Sequence, residues 1–273
     1  MQDHSWPRFI YDPLHRLISF SDDLCDRLLM KLIDCSEVQR LRRIKQLGFS
    51  EMTFPGATHT RLAHSIGVLN MTRLFLEQIE RQSGKLLREE SRLVVLCAAL
   101  LHDVGHGPFS HAFEKITEEH HEERTREIIT SSDTQIRHVL EEVDRELPEK
   151  VREFQKEDFK GTPDLPAYYR KIYSSQLDAD RFDYLLRDSY STGVDYGTFD
   201  YRWLISHLYI DEKKGRLFLS KKALLAAEAY VFARHHMYQI VYFHKTTRAA
   251  EVMFRLLLKR YKEIVRYEQD KAD

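Results

Sequence analysis

The longest uninterrupted apolar stretch of the chain covers residues 93–101, where nine hydrophobic side chains follow one another. A helix that is apolar all round is buried on every side, so this stretch predicts a central helix of the core. It leads directly into His102 and Asp103, and Gly105 and Gly107 then predict a turn. Because an unpaired buried charge costs several kcal/mol, the imidazole and the carboxylate need partners from elsewhere in the chain.

Two further helices are predicted from the spacing of inward side chains. One apolar stripe begins at an imidazole, with positions at i, i+4, i+7, i+11 and i+15: His64, Val68, Met71, Phe75 and Ile79. This stripe predicts a helix from about residue 60 to residue 82, ended by Gly84. Asp180, Tyr184 and Asp188, at i, i+4 and i+8, share one face of a second helix. Taken alone, an inward histidine is usually a packed core residue, and acids beside arginines usually form a weak ion-pair ladder.

The remaining pattern predicts an all-α fold of about ten helices with two small β-hairpins, one at residues 8–20 and one within residues 203–220. Other helices are expected near residues 24–32, 37–47, 118–130, 221–236 and 238–267, with a short helical turn at 108–116. The highly charged residues 131–165 are interpreted as solvated helices and an exposed loop. We expect residues 1–50 to pack on a core of residues 51–200, and residues 201–273 to complete its pocket.

Composition narrows the class of protein. The 273 residues are 42% hydrophobic and 31% charged with a net charge of −1, so no general attraction to nucleic acid or to an anionic membrane is indicated. Three cysteines without metal-type spacing indicate a reducing compartment: Cys25, Cys35 and Cys97. The polar N-terminus and the shortness of the apolar runs predict a soluble cytoplasmic protein without a membrane span.

The inward polar groups suggest metal chemistry. Two imidazoles and two carboxylates from three helices form a mixed nitrogen and oxygen site suited to Mn, Fe, Ni, Zn or Mg: His64, His102, Asp103 and Asp180. Nearby histidines and acids could supply a proton to a leaving group: His106, His111, His121, Glu114 and Glu122. Four cations could neutralise phosphate: Arg61, Arg181, Arg234 and Lys245. Together these groups predict a metal-dependent phosphohydrolase.

Several ordered motifs carry a family resemblance. They are residues 39–48 (QRLRRIKQLG), 54–59 (FPGATH) followed by Arg61, 64–67 (HSIG), 101–111 (LHDVGHGPFSH) and 178–188 (DADRFDYLLRD). The set resembles the HD-domain metal phosphohydrolases, and within them the SAM- and HD-domain deoxynucleoside triphosphate triphosphohydrolases. That resemblance implies a helical fold, often a homo-oligomer such as a dimer or tetramer, and cleavage of a dNTP into deoxynucleoside and tripolyphosphate.

The resemblance also implies roles position by position. His64, His102, Asp103 and Asp180 match the metal ligands, His111 matches the proton donor to the 5′ oxygen, and His106 and His121 match supporting histidines. Arg61, Arg181 and Arg234 match triphosphate contacts. Gln46 and Asp188 match the groups that bind the sugar 3′-hydroxyl, while Leu47, Tyr184 and Tyr242 match the wall that excludes a ribose 2′-hydroxyl. Asp34, Gln39 and Arg42 match an activator site that reads guanine.

The chain departs from that pattern at Phe243, where a relative has a polar residue near the base, and it ends at Asp273, where the family usually continues into a lobe used in assembly. Two other functions therefore stay open. One is an HD hydrolase of another nucleotide, such as a monophosphate, a cyclic nucleotide or guanosine tetraphosphate. The other is a nucleotide-sensing module without turnover.

Overall fold

A computed structural model of the chain describes residues 6–109, 113–114 and 119–269. These residues form an α-helical fold with two antiparallel hairpins, so the predicted fold class is confirmed. In the first hairpin β1 (Arg8–Asp12) pairs with β2 (Arg16–Phe20), and Arg8 lies opposite Phe20. In the second hairpin β3 (Leu208–Asp211) pairs with β4 (Arg216–Leu219).

The helices follow one another around these hairpins. In chain order they are α1 (Leu24–Asp34), α2 (Ser36–Gln39), α3 (Arg61–Ser83), α4 (Glu89–Leu101), α5 (His121–Thr130), α6 (Gln135–Glu141), α7 (Leu147–Gln155), α8 (Arg170–Tyr173), α9 (Ala179–Thr192), α10 (Tyr201–Ser206), α11 (Leu224–Met237) and α12 (Lys245–Gln269). Short 3-10 turns lie at Arg40–Arg43, Gly48–Met52, Ala167–Tyr169, Asp195–Gly197 and Lys221–Ala223, and a π-helical turn lies at Tyr238–Tyr242.

The core is built around α4, as the uninterrupted apolar stretch predicts. From Leu93 to Leu101 no side chain is more than 3% exposed, because α3 packs on one side of the helix and α7 on another. The last turn of α4 therefore delivers His102 and Asp103 into the interior of the protein.

Local capping fixes the two helices that meet beside this point. The Thr60 hydroxyl accepts a hydrogen bond from the Ala63 amide at the start of α3, and the helix ends at Gly84 with a left-handed φ of 66°. At the start of α9 the Asp178 carboxylate accepts a hydrogen bond from the Arg181 amide. The two helices pack closely, with Phe75 of α3 against Phe182 of α9 at a ring-centroid distance of 5.4 Å.

The predicted helix over residues 37–47 is wrong. α2 ends at Gln39, a 3-10 turn follows, and the chain then runs beside residues 59–61, with Lys45 bridging to Thr60. The backbone amide of Gln46 donates to the carbonyl of His59, and the backbone amide of Arg61 donates to the carbonyl of Ile44. This pairing satisfies backbone groups that a continuous helix would have used internally.

The interpretation of residues 131–165 as solvated helices and an exposed loop is confirmed for the helices themselves, but it is wrong about their exposure. One face of α6 and α7 is apolar and almost fully buried, through Ile136, Leu140, Leu147, Val151 and Phe154. The many charged residues between these positions lie on the opposite face, which conceals the stripe in a simple inspection of the sequence. The predicted helix over 238–267 is likewise divided, into the π-helical turn and α12.

Two further features bear on the sequence predictions. Cys25, Cys35 and Cys97 are unpaired and buried. In the part of the chain that the structure describes, no helix combines the length and the apolar character needed to cross a bilayer. The predicted turn at 108–116 lies partly outside the described residues.

α3 approaches α9 closely at Gly67. A Cβ atom placed on Gly67 would lie 1.9 Å from Oδ1 of Asp183 and 2.4 Å from Nη2 of Arg187. Both side chains are buried and bonded to each other. Neither can move aside without leaving a charge unsatisfied.

We expect Gly67→Ala to lower the free energy of unfolding by about 2 kcal/mol or more, because the methyl group overpacks a rigid ion pair. Without that contact the same change in a helix would stabilise the protein by about 1 kcal/mol, so the sign of the effect is diagnostic. Chemical denaturation measures it, with Glu77→Ala on the exposed face of α3 as the control. A stabilised Gly67→Ala variant would contradict the close approach.

Candidate functional site

Four polar side chains converge at the ends of three helices. His64 lies in the first turns of α3, His102 and Asp103 follow the last residue of α4, and Asp180 lies in the first turn of α9. The Nε2 atom of His64 lies 3.2 Å from Nε2 of His102 and 3.0 Å from Oδ1 of Asp180. His102 Nε2 lies 3.3 Å from Oδ1 of Asp103 and 3.8 Å from Oδ1 of Asp180. The structure therefore brings together all four residues predicted as metal ligands.

The orientation of the two imidazole rings fits a metal ion. His64 Nδ1 contacts Oδ2 of Asp183 at 2.8 Å, and His102 Nδ1 contacts the carbonyl oxygen of Ala99 at 2.8 Å. When each Nδ1 carries the proton for these contacts, both Nε2 lone pairs point at each other across 3.2 Å. In that protonation state a cation within reach of both Nε2 atoms would be coordinated by the two rings, in the arrangement that outer-shell hydrogen bonds usually impose on metal-binding histidines.

The charges around this cluster are strongly coupled. Burial would raise the pKa of Asp103, but His102 and Arg61 outweigh it and the pKa falls well below its usual range. Burial would lower the pKa of His64, but its hydrogen bonds to Asp180 and Asp183 dominate and raise the pKa to about 10. Without a cation the site therefore retains a proton on His64, which a bound metal would have to displace.

Asp183 supports the cluster from behind, and the sequence analysis did not single it out. Its carboxylate is fully buried and contacts His15 Nε2 at 2.6 Å, His64 Nδ1 at 2.8 Å and Arg187 Nε at 2.8 Å. Arg187 in turn donates to Oδ2 of Asp12 at 2.7 Å. Position 183 is three residues from Asp180 on the same helix, and this i, i+3 spacing was the available signal.

A second group of histidines adjoins the first through Asp103. The rings of His106 and His121 stack at a centroid distance of 3.7 Å, and each Nδ1 lies close to Oε1 of Glu114, at 2.9 and 3.0 Å. Asp103, His106 and His121 also offer ligand atoms within 4.8 Å of one another. Burial alone would lower the pKa of His121, but the hydrogen bond to Glu114 outweighs burial, so the pKa is raised.

The loop that carries these groups is fixed by backbone contacts. The guanidinium of Arg40 donates to the carbonyls of Val104 and His106 at 2.6 and 2.9 Å. At Gly105 an added Cβ would lie 2.2 Å from the carbonyl oxygen of His121, so only glycine fits there. His111 lies outside the described residues, and its predicted role as proton donor stays a prediction.

A second set of polar groups meets two turns further along α9. Asp188 accepts a hydrogen bond from the Tyr242 hydroxyl at 2.7 Å, and His59 Nε2 lies 2.7 Å from its other oxygen. Burial and the charge of Asp188 raise the pKa of Tyr242 well above its usual value, so the hydroxyl keeps its proton. Tyr184 packs edge-on against Tyr242 at a centroid distance of 6.2 Å. The sequence analysis did not assign His59.

The predicted phosphate contacts divide into two groups. Arg61 is buried beside the cluster and is bonded to Asp103. Arg181 instead contacts the carbonyl of Ser175 at 2.7 Å, and Arg234 contacts Oε1 of Gln176 at 3.1 Å. Neither Arg181 nor Arg234 lines the cavity described below, so their role in binding triphosphate stays a prediction.

The three residues predicted as an activator site lie near one another in sequence, in and after α1. Gln39 donates to the carbonyl of Ile33 at 2.7 Å and accepts from Arg42 at 2.6 Å, while Asp34 and Arg42 are exposed. These internal contacts stabilise the turn after α2. The activator role stays a prediction.

One cavity of about 450 Å³ joins the metal-type cluster to the groups around Asp188. Its walls include most of the predicted site residues: Gln46, Leu47, Arg61, His64, Asp103, His106, His121, Glu122, Asp180, Tyr184, Asp188 and Tyr242. A larger open cavity of about 850 Å³ lies between the α3–α4 loop and the second hairpin. It shares no residue with this site, and two of its cations, Lys85 and Arg88, are paired with acids.

Comparison with protein-family models identifies two adjacent regions. The HD domain model matches residues 61–188, and the HD associated region model matches residues 199–272. The first region begins at Arg61 and ends at Asp188, so it contains the whole of α3, α4 and the metal-type cluster.

Individual relatives agree with this result. The chain is 41% identical over 253 residues to the uncharacterized protein YwfO of Bacillus subtilis, covering 93% of this chain and 55% of the relative. It is 32% identical over 224 residues to the deoxynucleoside triphosphate triphosphohydrolase SAMHD1 of Bos taurus, covering 71% of this chain and 37% of the relative. The chain spans 37% to 61% of the length of the curated relatives compared with it.

Solved structures give the same fold. A crystal structure described as a phosphohydrolase from Bacteroides thetaiotaomicron superposes with a TM-score of 0.81 at 33% identity, covering 94% of this chain and 60% of that one. A hypothetical protein from Aquifex aeolicus superposes with a TM-score of 0.78 at 32% identity, covering 93% and 65%. The chain therefore belongs to the HD-domain family, in the branch that includes the SAMHD1 proteins, and the resemblance inferred from its motifs is confirmed.

Proposed function

We propose that this chain forms the active site of a metal-dependent hydrolase that cleaves a deoxynucleoside triphosphate into deoxynucleoside and tripolyphosphate. The observation that carries this proposal is one cavity that has His64, Asp103 and Asp180 of the metal-type cluster on its wall together with the Asp188–Tyr242 pair. The first group suits a metal and a phosphate, and the second suits a sugar hydroxyl. Relatives named as deoxynucleoside triphosphate triphosphohydrolases support the same substrate class.

In this proposal His64, His102, Asp103 and Asp180 hold a divalent cation, which could be Mn, Fe, Ni, Zn or Mg. When bound, such a cation supplies Lewis-acid polarisation of a phosphoryl oxygen. Asp183 keeps the His64 ring in the orientation that presents Nε2 to the site. Arg61 is held against Asp103 at the wall of the cavity and places a positive charge beside the space proposed for a phosphate.

Proton transfer to the leaving 5′ oxygen is assigned to the histidines beside this cluster. The Glu114 carboxylate bridges His106 and His121 and favours the protonated form of His121. The His121 imidazolium can therefore stabilise the charge that develops on the phosphoryl group and leaving oxygen, or return a proton to a donor such as His111. Glu122 lines the same wall and adds a further acid.

Sugar selection is assigned to the other end of the cavity. The two Asp188 oxygens each accept one hydrogen bond, from Tyr242 and His59, and a carboxylate has lone pairs left for a 3′-hydroxyl. Gln46 lies on the same wall. The rings of Tyr184 and Tyr242, with Leu47, would enclose C2′ and leave no room or partner for a 2′-hydroxyl.

Product analysis tests the proposal against its two alternatives. We expect incubation with each dNTP and Mn to release deoxynucleoside and tripolyphosphate in equal amounts, detected by chromatography. Release of inorganic phosphate or pyrophosphate would instead indicate an HD hydrolase of another phosphoester. Binding without any product would indicate a sensing module.

The metal assignment is tested by comparing the two groups that share Asp103. We expect Asp103→Ala to abolish both metal content and turnover, because it removes a ligand. We expect His121→Ala to keep the metal, because the four ligands stay intact. The rate should fall about 10²-fold or more, because the substitution removes a side chain assigned to proton transfer. Elemental analysis measures metal per chain. Loss of metal from His121→Ala would place the ion instead among Asp103, His106 and His121.

The sugar assignment is tested by separating the ring of Tyr242 from its hydroxyl. We expect Tyr242→Ala to lower the preference for dNTP over NTP by about tenfold or more, because the wall at C2′ is opened. Tyr242→Phe is the matched control: it keeps the ring but loses the hydrogen bond to Asp188. Tyr242→Phe should raise KM for dNTP, while the preference for dNTP over NTP persists. Unchanged discrimination in Tyr242→Ala would refute the assignment.

A further inference from the structure

The two ends of the cavity are marked by two acidic residues of α9. Asp180 lies at the metal-type cluster and Asp188 at the sugar-type group, eight residues further along the same helix, which is a rise of about 12 Å. Gln46, His59 and Tyr242 all gather at the Asp188 end, because the Gln46 amide donates to the carbonyl of His59 and His59 contacts Asp188. The chain that follows Tyr242 must therefore form the wall beyond the sugar position.

The first turns of α12 complete that wall with a charged pair. Arg248 Nη1 donates to Oε2 of Glu251 at 2.6 Å, and the guanidinium lies 5.7 Å from the ring centroid of Phe243. Both charged side chains line the cavity, and they are 43% and 25% exposed, so solvent reaches them only in part. The sequence analysis assigned no role to either residue.

An aromatic cluster fixes this part of α12 over the cavity. Phe254, two turns after Thr247, contacts Phe109 and Phe49 at centroid distances of 4.6 and 5.4 Å. Phe49 and Phe109 stack on each other at 4.5 Å with an interplanar angle of 11°, and both line the cavity. The same wall therefore offers flat apolar rings beside a guanidinium and a carboxylate.

Two side chains that line this end of the cavity each have a buried polar atom with no hydrogen-bond partner among the described residues. These atoms are Oε1 of Gln46 and Oγ1 of Thr247, and Thr247 is only 1% exposed. A buried polar atom without a partner destabilises the protein, so a ligand that supplies the missing hydrogen bonds is favoured here. Gln46, Thr247 and the charged pair all belong to the wall of one cavity.

We infer that Arg248 and Glu251 read the base of the bound nucleotide, and that the base they favour is guanine. This inference rests on the proposed function, since it places the base beyond the sugar at Asp188. Guanine presents two adjacent acceptors, O6 and N7, which suit the fork of an arginine, and two adjacent donors, N1–H and N2–H, which suit a carboxylate.

The other bases match the pair less completely. Adenine, cytosine and thymine each offer a carboxylate only one donor group on the polar edge, so a Glu–base contact to them lacks the paired geometry. The Arg248–Glu251 contact occupies one nitrogen and one oxygen, which leaves other donors and the second carboxylate oxygen to face a base. A purine ring would also have the larger surface to stack against the Phe49 and Phe109 rings.

The test compares Glu251→Gln with a matched control on the same helix. Arg260 and Glu263 form the same i, i+3 pair at 3.2 Å, three turns further along α12, but they are 71% and 53% exposed and do not line the cavity. Glu263→Gln therefore reproduces the charge change without touching the site. The readouts are kcat/KM of the Mn-loaded protein for the four dNTPs, and the thermal shift of metal-free protein with deoxyguanosine or deoxyadenosine.

We expect the starting protein to prefer dGTP, and Glu251→Gln to lower kcat/KM for dGTP about tenfold or more relative to kcat/KM for the other three dNTPs, while the unfolding temperature stays unchanged. Glu263→Gln should match the starting protein. An equal loss for all four bases would overturn the inference, because it would mean that the pair binds phosphate or supports the fold. Equal kcat/KM values in the starting protein would overturn it as well.

The thermal shift separates this inference from the proposed function. If no dNTP is hydrolysed but deoxyguanosine stabilises the starting protein more than deoxyadenosine does, and Glu251→Gln removes the difference, then the base site stands and the triphosphohydrolase assignment fails. If the two nucleosides shift the unfolding temperature equally, the base assignment fails whatever the enzyme hydrolyses.

Discussion

The buried Asp183 carboxylate is the interaction on which the rest of the site depends. A carboxylate without solvent costs several kcal/mol unless its lone pairs are filled, and Asp183 is fully buried. Arg187, His15 and His64 all contact it, and burial would raise its pKa but for Arg187 and the histidines, which hold the pKa well below its usual range. Removing any one partner would leave an unmatched charge in the core.

This network makes the first hairpin part of the site. Asp12 ends β1, caps the following turn by accepting hydrogen bonds from the amides of Leu14 and His15, and pairs with Arg187 through its other oxygen. His15 is therefore fixed by the turn in which it lies. The hairpin, α3 and α9 meet at one charged point, and the Nε2 atom of His64 faces the cluster because its Nδ1 atom is occupied behind it.

Helical periodicity explains which parts of this could be predicted. A spacing of 3.6 residues shows which side chains share a face, so the inward direction of His64 and the alignment of Asp180 with Asp188 follow from sequence. Periodicity does not show which distant segment covers a face. The contact of Arg40 with the His106 loop, the approach of His59 to Asp188 and the buried stripe within α6 and α7 all depend on tertiary neighbours. The predicted helix over residues 37–47 was wrong for the same reason. The backbone hydrogen bonds that join residues 44–46 to residues 59–61 outweigh the helix propensity of this segment.

The charges that line the cavity bear on how an anion could enter it. Five acids face two arginines there: Asp103, Glu122, Asp180, Asp188 and Glu251 against Arg61 and Arg248. Both arginines are already bonded to one of those acids. These acids would repel a triphosphate at short range because the walls are partly desolvated. In the proposed function a cation held by His64, His102, Asp103 and Asp180 would offset part of that repulsion, so metal binding and nucleotide binding would be linked.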